Sequence, residues 1–272
     1  MDIYKKKGWA LLAIVALLAL CAAPVLADDH EEGEDDSKPY RMVHFDYLNP
    51  AKMNAFVDQQ KAWVAAFDKA EAGEDWSWWV FQSGFEFVTG WAFKDFAELD
   101  EDGEKMMAEI VGAETMKKLQ EPTGAVVKHH NMIVKHAPDI SYMPEDMDWA
   151  NPGQFFNMST YWIRPGSEKE FMEMGKKIKA AFEKTKQPNG YNIWMVVAGE
   201  GTMLVTAFGE NAGEYYSRPE MGKILAEAYG EEGSKKIFDS WMQMAVHQEH
   251  KNYRFRQDLS YRPAMEKKDA SK

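Results

Sequence analysis

The 272-residue sequence has a single cysteine, Cys21, close to its N-terminus. Everything beyond it lacks disulfides and thiol chemistry, so stability there must come from packing. Chemical motifs are missing too. There is no phosphate-cradling glycine loop, dinucleotide fingerprint, paired-histidine zinc helix, nucleophile elbow or haem-attaching Cys-x-x-Cys-His, which excludes whole enzyme classes. Positive charge is scarce: 32 Lys and Arg stand against 44 Asp and Glu, a net −12. Such a balance disfavours nucleic acid and anionic lipid as partners. The long apolar run of residues 9–20 is short for a membrane span.

That run belongs to an export signal. Lys5, Lys6 and Lys7 precede it, and Pro24, Val25, Leu26 and Ala27 bring small residues to a cleavage position. Loss of residues 1–27 removes Cys21, Asp2 and three lysines, moving the net charge from −12 to −14. Residues 28–39 then form an acidic, disordered tail. The expectation is an exported protein, periplasmic or extracellular, without membrane contact once cleaved.

Aromatics are abundant, with ten Trp and fifteen Phe beside eighteen Met. The organising feature of the chain is a duplication. Pro50, Phe56, Lys61, Ala65-Ala66-Phe67, Lys69, Trp79, Gly84 and Ala92-Phe93 return as Pro165, Phe171, Lys176, Ala180-Ala181-Phe182, Lys184, Trp194, Gly199 and Ala207-Phe208, at one offset without a gap. Further on, Lys105, Ala108, Glu109, Gly112 and His129 match Lys223, Ala226, Glu227, Gly230 and His247. The closing Pro138-Asp139-Ile140-Ser141-Tyr142 is echoed by Asp258-Leu259-Ser260-Tyr261. A repeat this ordered marks two like units, residues 40–145 and 154–263, with 264–272 as a tail.

Within each unit the apolar pattern switches between period two and period 3.6. Residues 41–48 alternate as a strand. Asn49 and Pro50 start a helix whose stripe is Met53, Phe56, Val57, Trp63, Val64 and Phe67. In the second unit Ser167 and Glu170 have capping-box spacing. Strands are predicted at 76–82 and 86–93 and at 191–197 and 202–208. Second helices are predicted over 102–129 and 219–247, then short strands at 132–135 and 253–256. The order strand, helix, strand, strand, helix, strand is the ferredoxin-like plan. Trp78 and Val80 on one face, with Trp79 and Phe81 on the other, make both faces of a strand apolar. A sheet covered by helices on one side would leave its other face polar, so the second face must pack on a like sheet.

The fold class is therefore α+β: two tandem ferredoxin-like (βαββαβ) units packed sheet to sheet. This resembles the dimeric α/β-barrel superfamily in a single-chain, tandem form, and the Asp-Ile-Ser-Tyr and Asp-Leu-Ser-Tyr tails with Trp79 and Trp194 resemble secreted bacterial proteins of that kind. The resemblance implies any of several activities: cofactor-free monooxygenase, muconolactone isomerase-like enzyme, haem-binding chlorite dismutase-like protein or plain ligand binder. It also implies His247 as the residue to test for haem ligation.

His44 and Asp46 lie on one strand face two residues apart, an imidazole and a carboxylate disposed for acid–base work. With His129 they would make a two-His, one-carboxylate set of the kind that binds non-haem iron, although no metal ligand is assigned. His129 and His247 are read as helix-end residues, where imidazole interacts with the last carbonyls. Tyr47, Trp79, Trp162 and Trp194, with His129 and His247, are candidates to line the space between the sheets. Asp139, Ser141 and Tyr142 and their copies are expected to lock each unit's tail by turn hydrogen bonds. The leading expectation is a binder of a small apolar or aromatic molecule between the sheets, with no cofactor assigned. The alternatives are an acid–base enzyme using His44 and Asp46, and a module packed shut. A chain holding its own pseudo-dimer is expected as a monomer or a homo-oligomer.

Overall fold

The computed structural model describes residues 38–144, 147 and 153–263; the expected export signal, residues 28–37 and the 264–272 tail lie outside the described residues. In chain order the elements are β1 (Tyr40–Leu48), α1 (Met53–Ala70), β2 (Trp78–Ser83), β3 (Glu86–Phe93), α2 (Gly103–Val111), α3 (Ala113–Leu119) and β4 (Val126–His136). They are followed by β5 (Phe155–Ile163), α4 (Glu168–Lys184), β6 (Asn192–Ala198), β7 (Met203–Gly209), α5 (Ala212–Ser217), α6 (Met221–Met244) and β8 (Ala245–Phe255). Asn49 caps the turn before α1, its Oδ1 accepting from the Ala51 N–H at 3.0 Å. The equivalent cap before α4 differs from expectation. Ser167 makes no side-chain cap bond; instead Glu168 Oε1 reaches back to the Gly166 N–H at 3.0 Å.

Hydrogen bonds join the strands into one closed antiparallel barrel in the order β1-β3-β2-β8-β5-β7-β6-β4. Two seams connect the repeat-related halves: Phe81↔Phe255 and Gln82↔Arg254 between β2 and β8, and Ile133↔Ala198 through His136↔Trp194 between β4 and β6. Alternation along each strand sends one face inward. Val43, Phe45, Phe81, Val88, Met132, Val134, Phe156, Met158, Leu204 and Tyr253 fill the interior as one buried cluster. Phe81 and Phe156 stack there at 4.1 Å, tying β2 to β5. The outer face carries the helices. Phe56 of α1 packs with Leu48, Val80 and Phe87, while α4 and α6 cover Ile163, Ile193 and Met203.

The predicted second helices stop early. β4 and β8 each run for 11 residues, so His129 and His247 sit on strands rather than helix ends. Val126 and Val127 follow the break at Pro122 and Gly124, and β1 supplies the ladder partners that extend the strand back to Val126. The closing segments carry the expected turn hydrogen bonds, and each also reaches into the other half. Ser141 Oγ donates to the Ala137 carbonyl at 2.8 Å and accepts from the Ile193 N–H of β6 at 2.9 Å. Ser260 Oγ donates to the Arg256 carbonyl and accepts from the Val80 N–H of β2, both at 2.9 Å.

Candidate functional site

The register of β1 against β4 places His44 opposite Asn131 and Asp46 opposite His129. All four side chains lie on the outer face of the barrel, since the neighbouring positions Phe45, Tyr47 and Met132 belong to its interior. Asp46 Oδ1 accepts from Nδ1 of His129 at 2.6 Å. Nε2 of the same ring lies 3.4 Å from Nδ1 of His44. His44 Nδ1 also sits 2.5 Å from Asn131 Oδ1, an oxygen that can only accept. The proton of His44 therefore resides on Nδ1, and Nε2 keeps the lone pair.

Trp91 of β3 stacks on the His44 ring at 4.5 Å. Burial is the main influence on His44 and holds its pKa below the ordinary 6.5; His129 acts the same way, opposed by the Asn131 bond and the Asp46 charge. The imidazole is thus neutral at pH 7. Chemically, the arrangement is a carboxylate orienting one imidazole, which abuts a second whose free nitrogen is able to accept a proton.

The same three residues do not converge as metal ligands. Asp46 and His44 bond to opposite nitrogens of His129, so no single point lies within reach of all three. Among the described residues, no group of three or more His, Cys, Asp or Glu is placed to hold a metal ion.

The aromatic residues chosen from the sequence are divided between the two ends of the barrel. Trp79 and Trp194 lie inward near one end, where Arg41 sits 5.2 Å above the Trp194 ring. Tyr47 faces inward at the other end. Trp162 shares that end by strand alternation, with the His247 ring 4.7 Å away. The packed middle separates the two groups, so they do not line one pocket. His247 is also a poor candidate for haem ligation: its side chain is 59% exposed and Nε2 lies 3.4 Å from Glu249. Two surface clefts, of about 560 and 670 Å³, lie elsewhere, between α2 and α3 and between α4 and α6.

Four polar residues inside the barrel escaped the sequence reading. Lys251 Nζ donates to both Glu86 oxygens at 3.1 and 3.0 Å and to Tyr47 Oη at 3.2 Å. Tyr253 Oη donates to Glu86 at 2.9 Å. His130 stacks flat on Phe45 at 4.4 Å. The available signal was a charge on the inward register of an otherwise apolar strand, and that register becomes visible only once the barrel closes.

The fold is shared with solved structures. A candidate monooxygenase from Fusobacterium nucleatum is 9% identical, aligned over 83% of this chain and 95% of that one, with a TM-score of 0.54. An anthrone oxidase-like protein is also 9% identical, over 85% and 95%, with a TM-score of 0.52. A mutant chlorite dismutase from Candidatus Nitrospira defluvii, 6% identical over 86% and 96%, reaches 0.47, too low to carry an argument. No protein-family model matches the chain, and the comparison with curated proteins yields no match. The chain shares its fold, an antiparallel barrel closed within a single chain and carrying helices on its outer face, with the candidate monooxygenase and the anthrone oxidase-like protein.

Proposed function

We propose that this protein is an exported small-molecule enzyme that removes a proton from an apolar aromatic substrate, using His44 as base and His129 and Asp46 to orient and support it. The observation that carries the proposal is the hydrogen-bonded Asp46–His129 pair set against His44, whose Nδ1 is held by Asn131 and lies 3.4 Å from His129 Nε2. The His44 imidazole is neutral and lies beside an indole face. A base whose pKa lies below 6.5 is unprotonated at neutral pH, and Trp91 offers a flat apolar surface for a ring. The shared fold of a candidate monooxygenase and an anthrone oxidase-like protein favours substrates whose deprotonation gives a delocalised carbanion. Both halves follow the ferredoxin-like plan in this reading, with residues 40–145 and 154–263 as the duplicated units.

Anthrone is the probe of choice, because its ring-flanked methylene becomes acidic once the anion can delocalise. Deuterium exchange at that methylene, followed in heavy water, should exceed the protein-free rate. His44→Ala should abolish the excess. Asp46→Asn should reduce it by roughly 10²-fold, the low end of what a positioned acid–base group supplies. Exchange no faster than in buffer, or equally fast with His44→Ala, rules the base out. Export is checked separately: N-terminal sequencing of the protein recovered outside the cytoplasm should begin at Asp28, and an intact Met1 terminus would exclude cleavage.

A further inference from the structure

His129 and His130 are neighbours on β4, so their rings point to opposite faces. His129 serves the outer cluster, and His130 faces into the barrel. The end it faces is where β1, β2, β5 and β6 finish and β3, β4, β7 and β8 begin. Register places Tyr47 between Glu86 and Lys128 there. The Lys251 side chain is 39% exposed, whereas that of Glu86 beneath it is 10% exposed. Solvent therefore reaches down to the ammonium, and the carboxylate and Tyr253 form the floor.

Two features are poorly explained by packing alone. A hydrogen-bonded ion pair inside an apolar barrel is commonly no more stable than a well-packed apolar replacement. Nδ1 of His130 is moreover buried without any hydrogen-bond partner, which protein interiors rarely tolerate. We propose that this end of the barrel is a second ligand site, taking a small neutral aromatic molecule whose hydroxyl group pairs with His130 Nδ1.

The chemistry of the surroundings selects that class. Phe45 and Tyr47 present rings to the site. Two lysines, Lys128 and Lys251, and two glutamates, Glu86 and Glu200, act on His130, so the surrounding charge is balanced and a neutral ligand leaves it so. A hydroxyl can donate to or accept from a neutral imidazole, and burial keeps His130 in that form. The filled layer from Phe45 to Phe81 and Phe156 limits the depth, which favours a single ring. The site is independent of the outer cluster, although both share β1 and β4.

Phenol, with benzene as its control, tests this on the full mature chain. In a titration followed by the ring-nitrogen resonances of the histidines, phenol should move those of His130 and leave His44 and His129 in place. Phenol should bind about tenfold more tightly than benzene, one good hydrogen bond's worth. His130→Phe keeps a flat ring against Phe45 and should erase that preference. The proposal is overturned if phenol causes no shift, leaving a bound water as the partner of Nδ1. It is equally overturned if the preference survives in His130→Phe, or if only His44 and His129 respond. That last outcome would support the outer site alone. The wild-type titration decides the matter even if the variant does not fold.

Discussion

At the residue scale, the decisive property of His44 and His130 is that burial opposes their protonation. Both have folded pKa values below the ordinary 6.5. The unfolded chain therefore binds protons more readily between that value and the folded one. Their contribution to stability is complete above about pH 6.5 and is lost as the pH falls through the folded pKa values. Urea unfolding should thus show a lower midpoint at pH 5.5 than at pH 7.5. The carboxylates with depressed pKa are separable from this: Glu168, held low chiefly by the Gly166 N–H, Glu214, chiefly by its bonds to Arg218, and Asp258, chiefly by Arg256, have ordinary values of 4.5, 4.5 and 3.8. Equal midpoints at the two pH values would show that neither histidine resists protonation. The pairing of His44 with Asp46 on one face was legible in the sequence from their i, i+2 spacing. Asn131 and Trp91 were not, because they reach His44 only through the pairing of β1 with β4 and the position of β3.

At the element scale, the two halves use the same segments to different ends. Tyr161 and Ser159 occupy the second-half positions equivalent to Asp46 and His44. There Trp241 of the 24-residue α6 packs on Tyr161 at 4.9 Å, and Ser159 is buried. Both halves break this region at an equivalent glycine, α6 at Gly230 and the first half at Gly112 between α2 and α3, but α3 has only seven residues and His129 stays 43% exposed. The short α3 thus accompanies an open outer face, where the longer stretch of α6 beyond Gly230, which carries Trp241, covers it. The serine-bearing tails act symmetrically. Ser141→Ala would leave the buried Ile193 N–H without its acceptor, and Ser260→Ala would do the same to the Val80 N–H. Each should cost about 1–3 kcal/mol, read as a shift in the denaturation midpoint. A negligible loss in either variant would mean that the tail is held by other contacts. The sequence revealed the repeated Ser-Tyr tails, but turn chemistry is local and gave no sign that each tail crosses to the opposite half.

At the scale of the whole molecule, neither half offers a closed structure. Strands β2 and β4 are the edges of the first half, and in the intact barrel they pair with β8 and β6. Expressed alone, residues 38–144 would expose both edges and the inward faces of Trp79, Phe81 and Met132. Exposed edges and apolar faces invite association, so sedimentation should find a dimer or larger species in place of a monomer. A stable, soluble monomer of that half would show that closure by the second half is dispensable. The link between Lys251 on β8 and Glu86 on β3 acts at the same scale, since it joins the halves at the mouth of the barrel.

Local periodicity determined that this chain makes alternating strands and amphipathic helices twice over, because side-chain direction follows the two- and 3.6-residue periods wherever the chain is cut. It also determined that each sheet has two apolar faces and must find a partner for the second. Only the tertiary structure decided that the sheets close edge to edge into one barrel, which fixes the register between β1 and β4. That register brings His44, Asp46, His129 and Asn131 together outside and leaves Glu86, His130, Lys251 and Tyr253 within, for hydrogen bonding between distant strands leaves no trace in the spacing of residues along either one.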